Sequence, residues 1–199
     1  MKLDILPIGL YQENVYLLHD RGHVLIVDPG ANAKVIRKYV GDGEKVDAIV
    51  LTHGHEDHTV AVDDLVDLWH CPVYLHPADR DLVDPALSKG IGYASPIYAQ
   101  VNDLCDPLQA GIFSLTVYHT PGHTEGSCCI RCKNILFSGD TLFAGSCGRT
   151  DLYSGDEQKM LSSLRFLKTL PTDVTVYPGH GPSTTIGQEA AVNMFMQGL

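Results

Sequence analysis

The rest of the chain is organised around Thr52-His53-Gly54-His55-Glu56-Asp57-His58, a stretch with three histidines and an aspartate within six consecutive positions. Imidazole nitrogens and carboxylate oxygens are common ligands of zinc and other divalent metals. A solvated polar loop is the alternative interpretation, but a chance His-x-His-x-Asp-His is expected only about once in hundreds of chains of this length. The stretch therefore predicts part of a metal site.

The segments on either side of this cluster predict a strand before it and a helix after it. Residues 46–51 form a compact apolar run, so His53 begins a loop at the carboxyl end of a strand, where ligands are usually bound. Residues 59–69 carry apolar side chains at the spacing of an amphipathic helix. We expect this helix to hold the loop from behind.

Three further predicted strands end close to a glycine that is followed at once by a possible ligand. The strands are residues 112–118, 135–137 and 174–177, and the ligands are His123, Asp140 and His180. Glycine lets the backbone turn sharply and approach closely, so a short side chain can point across the sheet edge. The recurrence predicts that these three side chains converge on the first cluster.

Seven side chains thus form the candidate ligand set, and none of them is a thiolate. They are His53, His55, Asp57, His58, His123, Asp140 and His180. A closed structural zinc site uses four ligands, so this set is large enough for two ions with open positions and a shared hydroxide. We expect two divalent ions, with zinc as the default and iron or manganese as alternatives.

The rest of the chain predicts alternating short strands and helices. Outside the ligand loops, strands are expected at residues 3–10, 15–18, 23–28, 73–75 and 128–132, and helices at 31–40 and 186–196. Ser154-x-x-Glu157 has the form of a capping box and would begin a helix with an apolar stripe. Residues 77–103 lack firm periodicity and predict a mobile loop, whose Tyr93 and neighbours either cover a pocket or anchor the loop.

Composition indicates a soluble globular protein. The 199 residues suit a single domain over 1–199, and the formal net charge of −10 repels nucleic acid and anionic lipid. No apolar run approaches the ~20 residues of a membrane span, and the acid and proline in the first seven residues do not suit a secretory signal. We expect a cytoplasmic monomer or homodimer with reduced cysteines.

These motifs resemble those of the metallo-β-lactamase-fold hydrolases, and within them the glyoxalase II (hydroxyacylglutathione hydrolase) branch. The resemblance runs from about Asn14 to Gln188, and its most specific element is the first histidine cluster. The other segments that carry it are Val27-Asp28-Pro29-Gly30, Thr120-Pro121-Gly122-His123-Thr124, Ser138-Gly139-Asp140-Thr141-Leu142-Phe143, Gly148-Arg149-Thr150-Asp151 and Tyr177-Pro178-Gly179-His180-Gly181-Pro182.

The resemblance implies a four-layer αβ/βα sandwich of the α/β class, with two mixed β-sheets and the metals at one edge. It also implies an assignment of ligands to two metals. In the family, the first metal is bound at the positions of His53, His55 and His123, the second at those of Asp57, His58 and His180, and Asp140 matches the bridging position.

A thioester is the substrate that this resemblance implies, either S-D-lactoylglutathione or a related compound. Thiolate has a pKa near ~8.5 and can leave without a protonating acid, whereas an amide or β-lactam asks more of protonation. We take Asp57 and Asp140 as the catalytic carboxylates, and Arg149 matches a basic glutathione contact. Pro182 replaces a family tyrosine, and we expect no C-terminal glutathione-binding helical domain because only 19 residues follow His180.

Two other functions stay open at this point. Persulfide dioxygenases share the fold and a Cys-Gly-Arg-Thr-Asp segment, seen here as Cys147 to Asp151, and they use one iron at positions matching His53, His123 and Asp140. A metal-binding module without catalysis is the other alternative, although open coordination positions generally mean chemistry.

Two remaining motifs have plainer interpretations. Cys129 and Cys132 form a C-x-x-C motif, but residues three apart on a strand project to opposite faces, which favours buried thiols. His119 lies four residues before His123, and we favour a core or surface role for it over a role in supporting the metal ligands.

Overall fold

The computed structural model describes residues 1–198, and in this part of the chain the strands form two six-stranded sheets and a two-stranded ribbon. The first sheet contains, in spatial order, β1 (Lys2–Ile8), β2 (Glu13–Asp20), β3 (His23–Val27), β4 (Lys45–Val50), β5 (Val73–Leu75) and β6 (Val101–Asp103). The pairs from β1 to β3 are antiparallel and those from β3 to β6 are parallel, so the sheet is mixed.

The second sheet is also mixed. The later strands are β7 (Leu108–Ala110), β8 (Phe113–His119), β9 (Cys128–Cys132), β10 (Ile135–Gly139), β11 (Leu142–Phe143), β12 (Ser146–Cys147), β13 (Thr175–Pro178) and β14 (Thr184–Thr185). Six of them form the sheet in the order β14-β13-β10-β9-β8-β7, while β11 pairs with β12. Within the sheet, β10 and β13 are parallel and the other pairs are antiparallel.

Helices lie outside both sheets. They are α1 (Ala33–Ile36), α2 (Glu56–Thr59), α3 (Val62–Trp69), α4 (Arg80–Val83), α5 (Glu157–Leu167) and α6 (Ile186–Val192), with single 3-10 turns at Arg37–Tyr39 and Pro77–Asp79. None of the helices in residues 1–198 has the length and apolar character needed to cross a membrane.

The alternation of side chains along the strands creates the layers. On β2, Leu17 packs into a cluster with Leu65 of α3, while Leu18 packs between the sheets with Phe137 of β10. On the other side of β10, Leu136 joins a third cluster with Leu164 of α5. The order helix, sheet, sheet, helix confirms the predicted four-layer αβ/βα sandwich with two mixed sheets.

Several local predictions are confirmed and others need correction. The strand at Val73–Leu75 and the hairpin of β9 and β10 lie where the periodicity placed them. The helix expected at 31–40 is a short α1 and a 3-10 turn, and the last helix ends at Val192 rather than 196. The helix expected at 59–69 begins at Val62 as α3, and the short α2 lies before it, within the ligand stretch that we expected to be a loop. The irregular stretch 77–103 contains α4 and β6, which the sequence did not reveal.

The predicted capping box at Ser154 is wrong. The N-cap of α5 is Asp156, whose side chain accepts a hydrogen bond from the backbone N–H of Lys159. Ser154 has a left-handed φ of 61°, and its hydroxyl instead accepts a hydrogen bond from the backbone N–H of Glu125. A carboxylate directly before the first helical turn outcompetes a serine two residues further away.

Candidate metal centre

The structure brings all seven predicted ligands together, in the loops that follow β4, β8, β10 and β13. The seven side chains form three groups, and within each group the potential ligand atoms lie within 4.8 Å of one another: His53, His55 and His123; Asp57, His58 and His180; and His53, His58 and Asp140. A fourth group of this kind, Glu13, Asp28 and His58, adjoins them. The groups share members, so the seven side chains form one continuous centre. Its strands come from both sheets.

The first group consists of three buried imidazoles whose nitrogens face one point. His55 Nδ1 lies 3.1 Å from His53 Nε2 and 2.9 Å from His123 Nε2. Nitrogens bound tetrahedrally to one zinc ion at about 2.0–2.1 Å would lie about 3.3 Å apart. The spacing therefore fits a shared cation.

The second group combines imidazole and carboxylate donors. Asp57 Oδ2 lies 3.3 Å from His180 Nε2 and 4.0 Å from His58 Nε2. Asp140 connects the two groups, since its Oδ1 lies 3.4 Å from His58 Nε2 and its Oδ2 lies 3.5 Å from His123 Nε2. One carboxylate thus faces both groups, as a bridging ligand must.

Hydrogen bonds on the outer side of two ligand rings fix which nitrogen faces the centre. His123 Nδ1 donates to the backbone carbonyl of Arg149 over 2.7 Å, and His180 Nδ1 donates to that of Tyr11 over 3.2 Å. A carbonyl oxygen can only accept, so the proton of each neutral ring is assigned to Nδ1. The Nε2 lone pairs of both histidines are consequently free for a metal.

Asp28 fixes two further rings in the same way. Its Oδ2 accepts from His58 Nδ1 over 3.0 Å and from the Thr52 hydroxyl over 2.6 Å, and its Oδ1 accepts from the Thr52 backbone N–H over 2.7 Å. Because the Thr52 proton goes to Asp28, its oxygen can accept from His53 Nδ1, 3.1 Å away. Asp28 belongs to a motif that we had noted only as part of the family resemblance.

The electrostatics of the centre favour neutral His53 and His55 and a charged Asp140, whereas the neighbouring carboxylates outweigh burial and raise the pKa values of His58 and His180. Burial and then the neighbouring histidines lower the pKa of His53 well below its ordinary value, and burial and His123 lower the pKa of His55 to about 3. Burial opposes ionisation of Asp140, but His58 and His123 outweigh it and hold its pKa below the usual range. Neutral imidazoles with a carboxylate are the protonation states that bind metals.

Buried atoms without partners show where a cation would be accommodated. Among residues 1–198, these include His58 Nε2 and Asp140 Oδ1, which both face the centre. A buried acceptor without a partner costs about 1–3 kcal/mol. A divalent ion between these atoms would satisfy them, so the donor set fits the metals that the sequence predicts.

Asp79 ties the first ligand loop to the loop of His123, and sequence reasoning missed it. Its carboxylate accepts from the backbone N–H of Gly54 over 2.9 Å, the backbone N–H of Gly126 over 2.6 Å and the Thr124 hydroxyl over 2.7 Å. The residue is buried, and burial raises its pKa. Its local sequence, Pro77-Ala78-Asp79, resembles many surface turns and gives no signal of this role.

The start of β2 holds the loop of His180 in place. The side-chain amide of Asn14 donates to the carbonyls of Pro178 over 3.0 Å and Gly181 over 2.9 Å, and the Tyr16 hydroxyl donates to Pro178 over 2.6 Å. Glu13 lies buried beside them without a side-chain hydrogen bond among the described residues, its Oε1 lies 3.8 Å from His58 Nδ1, and burial raises its pKa. These contacts span over 160 residues of sequence.

The glycines that precede ligands have the role that we predicted. A Cβ atom on Gly139 would lie 2.3 Å from the Thr52 hydroxyl oxygen, and one on Gly179 would lie 2.2 Å from Asp140 Oδ1. Real Cβ contacts are never that short. Both positions therefore need glycine so that two loops can approach each other at the centre.

An open pocket of about 400 Å³ lies over the ligands. Its walls outside the centre are Tyr11, Tyr93, Arg149 and Leu152. Tyr93 has an unusual φ of 62°, and its carbonyl accepts from the backbone N–H of Glu56 over 2.8 Å. The 77–103 segment therefore both covers a pocket and is anchored to the body of the protein. Tyr93 lines the pocket, while the buried Ile97 anchors the segment.

The two motifs set aside earlier are not part of the centre. Cys129 packs against the outer face of the second sheet and Cys132 packs between the sheets, as the strand geometry predicted. The ring of His119 stacks on His76 at 4.1 Å, and its Nε2 donates to the carbonyl of Glu125 over 2.7 Å. These contacts place His119 away from the ligands.

Comparison with known proteins agrees with this geometry. Residues 8–180 match the metallo-beta-lactamase superfamily. The chain is 37% identical over 178 residues to a hydroxyacylglutathione hydrolase of Methylobacillus flagellatus, a match that covers 89% of this chain and 66% of that protein. The chain therefore spans about two thirds of that relative.

Two solved structures are similar over nearly the whole chain. The crystal structure of the BLEG-1 B3 metallo-beta-lactamase is 39% identical, with a TM-score of 0.89 and coverage of 99% of this chain and 100% of that chain. The crystal structure of TTHA1623 in a di-iron-bound form is 37% identical, with a TM-score of 0.84 and coverage of 96% and 99%.

Proposed function

The chain belongs to the metallo-β-lactamase superfamily, and from that premise we propose that it is a metal-dependent thioesterase that cleaves S-D-lactoylglutathione or a related thioester. The observation that carries the proposal is the convergence of five histidines and two aspartates below an open pocket, with free nitrogens turned inward. Similarity to a hydroxyacylglutathione hydrolase supports the choice of substrate.

The proposed metal assignment follows the groups in the structure. His53, His55 and His123 would hold the first ion and Asp57, His58 and His180 the second, with the Asp140 carboxylate facing both groups. Zinc is the default, and similarity to a di-iron protein keeps iron as an alternative. Ions held there would supply Lewis acidity, which can lower the pKa of water from ~15.7 to about 7.

The chain's own residues have distinct tasks in this reaction. Asp57 lines the pocket, where its carboxylate can accept the proton of the attacking water. Burial opposes ionisation of Asp57, but His180 and His58 outweigh this and lower its pKa, so the carboxylate is in the basic form. Tyr11, Tyr93 and Leu152 line the pocket where the substrate would pack, and Arg149 lies on the same wall.

The same protonation states favour a thioester over an amide. Asp57 and Asp140 both have lowered pKa values, so neither carboxylate stands ready to protonate an amine leaving group. A thiolate with a pKa near ~8.5 does not need that proton. β-Lactam hydrolysis is nevertheless a second candidate, because the B3 metallo-beta-lactamase is similar over the full chain.

A metal analysis coupled to a substrate panel tests the proposal. Protein reconstituted with zinc, iron or manganese would be assayed with S-D-lactoylglutathione, a β-lactam, and glutathione persulfide in an oxygen electrode. We expect two ions per chain and thioester hydrolysis without oxygen uptake. One iron per chain with persulfide-dependent oxygen consumption would identify the protein as a dioxygenase and not a hydrolase. β-Lactam turnover without thioester turnover would favour β-lactam hydrolysis.

A further inference from the structure

Arg149 and Asp151 form a bidentate ion pair at the mouth of the pocket. Arg149 Nε donates to Asp151 Oδ1 over 2.6 Å, and Nη2 donates to Oδ2 over 2.8 Å. This two-pronged geometry is the one a guanidinium uses to bind the carboxylate of a ligand. The chain's own carboxylate already occupies that edge of Arg149.

The remaining pocket wall offers no other cationic group to a substrate. Of the residues in 1–198 that line the pocket, Arg149 is the single lysine or arginine, and Tyr11, Tyr93 and Leu152 are uncharged. Pairing with Asp151 makes the net charge of these two side chains zero. The outer pocket is therefore apolar and aromatic with a neutralised cation.

The backbone around the pair is held firmly by the centre. The carbonyl of Arg149 accepts the Nδ1 proton of His123 over 2.7 Å, and a Cβ atom on Gly148 would lie 1.9 Å from the carbonyl oxygen of Asp140. Arg149 therefore cannot move as a whole to meet a substrate. Its guanidinium can only rotate away from Asp151, two residues along the same loop.

We propose that Asp151 is a specificity-determining residue, which makes the site favour thioesters whose thiol half carries no carboxylate at the pocket mouth. This inference rests on the proposed thioesterase function. A substrate carboxylate has to displace Asp151 from Arg149, and it then lies beside a second negative charge. An uncharged thiol half packs on Tyr11, Tyr93 and Leu152 without that displacement.

The pair persists at neutral pH. The hydrogen bond from Arg149 lowers the pKa of Asp151 to about 2, so the carboxylate is ionised there. Both side chains are largely exposed, at 56% and 66%, and exposed pairs have modest strength. The expected effect of Asp151 on substrate preference is therefore a few-fold change rather than an absolute exclusion.

A matched pair of substrates tests the inference. S-D-lactoylglutathione and its diethyl ester share the acyl group and differ in the charge of the two carboxyl groups. With wild-type protein, we expect kcat/KM for the diester to equal or exceed that for the free acid. Asp151→Asn should raise kcat/KM for the free acid by about three- to fivefold and change that for the diester less than about twofold.

Two variants serve as controls for the change in charge. Asp67→Asn removes one negative charge from an exposed position on α3, outside the pocket lining, and should leave the ratio of the two substrates unchanged. Arg149→Gln in the Asp151→Asn background should abolish the gain for the free acid. A gain that survives without Arg149 would contradict the proposed mechanism.

Binding measurements separate a failure of this inference from a failure of the proposed function. Calorimetry with S-hexylglutathione and its diethyl ester measures the charge preference without turnover. Asp151→Asn should lower the Kd of the free acid by about three- to fivefold. If wild-type protein hydrolyses neither thioester, the proposed function fails while this preference is still measured. An unchanged ratio in Asp151→Asn, or a wild-type preference of more than about tenfold for the free acid, would overturn the inference.

Discussion

The two parts of the ligand set reach the centre in different ways. His53, His55, Asp57 and His58 come from one loop of six residues after β4, whereas His123, Asp140 and His180 come singly from loops after three other strands. The first part can be recognised as a motif because its spacing is local. The second part becomes a site only when both sheets are packed.

The supports of the two parts differ in the same way. Asp28 and Asp79 hold the contiguous loop through hydrogen bonds to residues 24 to 30 positions away, among others. The loop of His180 depends on Asn14, which is 164 positions from Pro178. The dispersed ligands therefore depend more on correct packing of the two sheets, and substitutions at the supports should affect the two parts unequally.

The largest effect is expected at Asp140, which faces both parts. Asp140→Ala removes the carboxylate between His58 and His123, so both ions should bind poorly and kcat/KM for the thioester should fall by at least about 10³-fold. Metal content by mass spectrometry and thioester hydrolysis measure the two losses. Asp67→Ala on α3 is the control, and full metal occupancy in Asp140→Ala would contradict the bridging role.

A methyl group at Gly179 should displace one ligand from each part, namely Asp140 and His58. Its Cβ would lie 2.2 Å from Asp140 Oδ1 and 2.7 Å from His58 Cε1. Displacement of ligands by about 1 Å costs about 10²-fold in activity, so chelator competition should show weaker binding of metal in Gly179→Ala. Gly92→Ala meets no atom within 4 Å and is the matched control. Equal metal affinities for the two variants would refute the steric argument.

Local signals in the sequence explain why much of the fold could be predicted. The hairpin of β9 and β10 follows from period-two alternation around Lys133-Asn134, and the first ligand cluster follows from residue chemistry at short spacing. Each needs only a few neighbouring residues. A glycine directly before His123, Asp140 and His180 is a further local signal, and it predicted that these three residues are ligands.

The features that could not be predicted depend on partners distant in sequence. The strands β6 and β7 have three residues each, and they are strands because they pair with β5 and β8. Asp79 acts as a support because three loops meet around it, and Leu152 lines the pocket because its loop folds over the centre. A lone buried acid or leucine looks the same in sequence whether or not it has such a role.

Loss of the Asp28 carboxylate, which supports the contiguous loop, should have an intermediate effect on metal binding. Asp28→Asn keeps the size of the side chain and tolerates the left-handed φ of 49°, but its amide can no longer accept from both Thr52 and His58. Loss of a residue that orients metal ligands typically costs about 10- to 100-fold in metal affinity or activity. Metal competition measures it, with the exposed Asp42→Asn as control. Wild-type metal affinity in Asp28→Asn would show that the loop keeps its geometry without this carboxylate.

The smallest effect is expected at the start of α5, which packs behind the loop of His123. Asp156→Ala removes the acceptor for the Lys159 N–H, and loss of an N-cap costs about 0.5–2 kcal/mol of folding stability. The backbone bond from Asp156 to the carbonyl of Gly122 does not need the side chain, so metal content should change little. The free energies of unfolding of Asp156→Ala and Ser154→Ala, measured by thermal unfolding, show which of the two residues caps α5. A larger loss for Ser154→Ala would place the cap at Ser154, whereas loss of metal in Asp156→Ala would show that the dispersed ligands depend on helix ends as well as on the packing of the sheets.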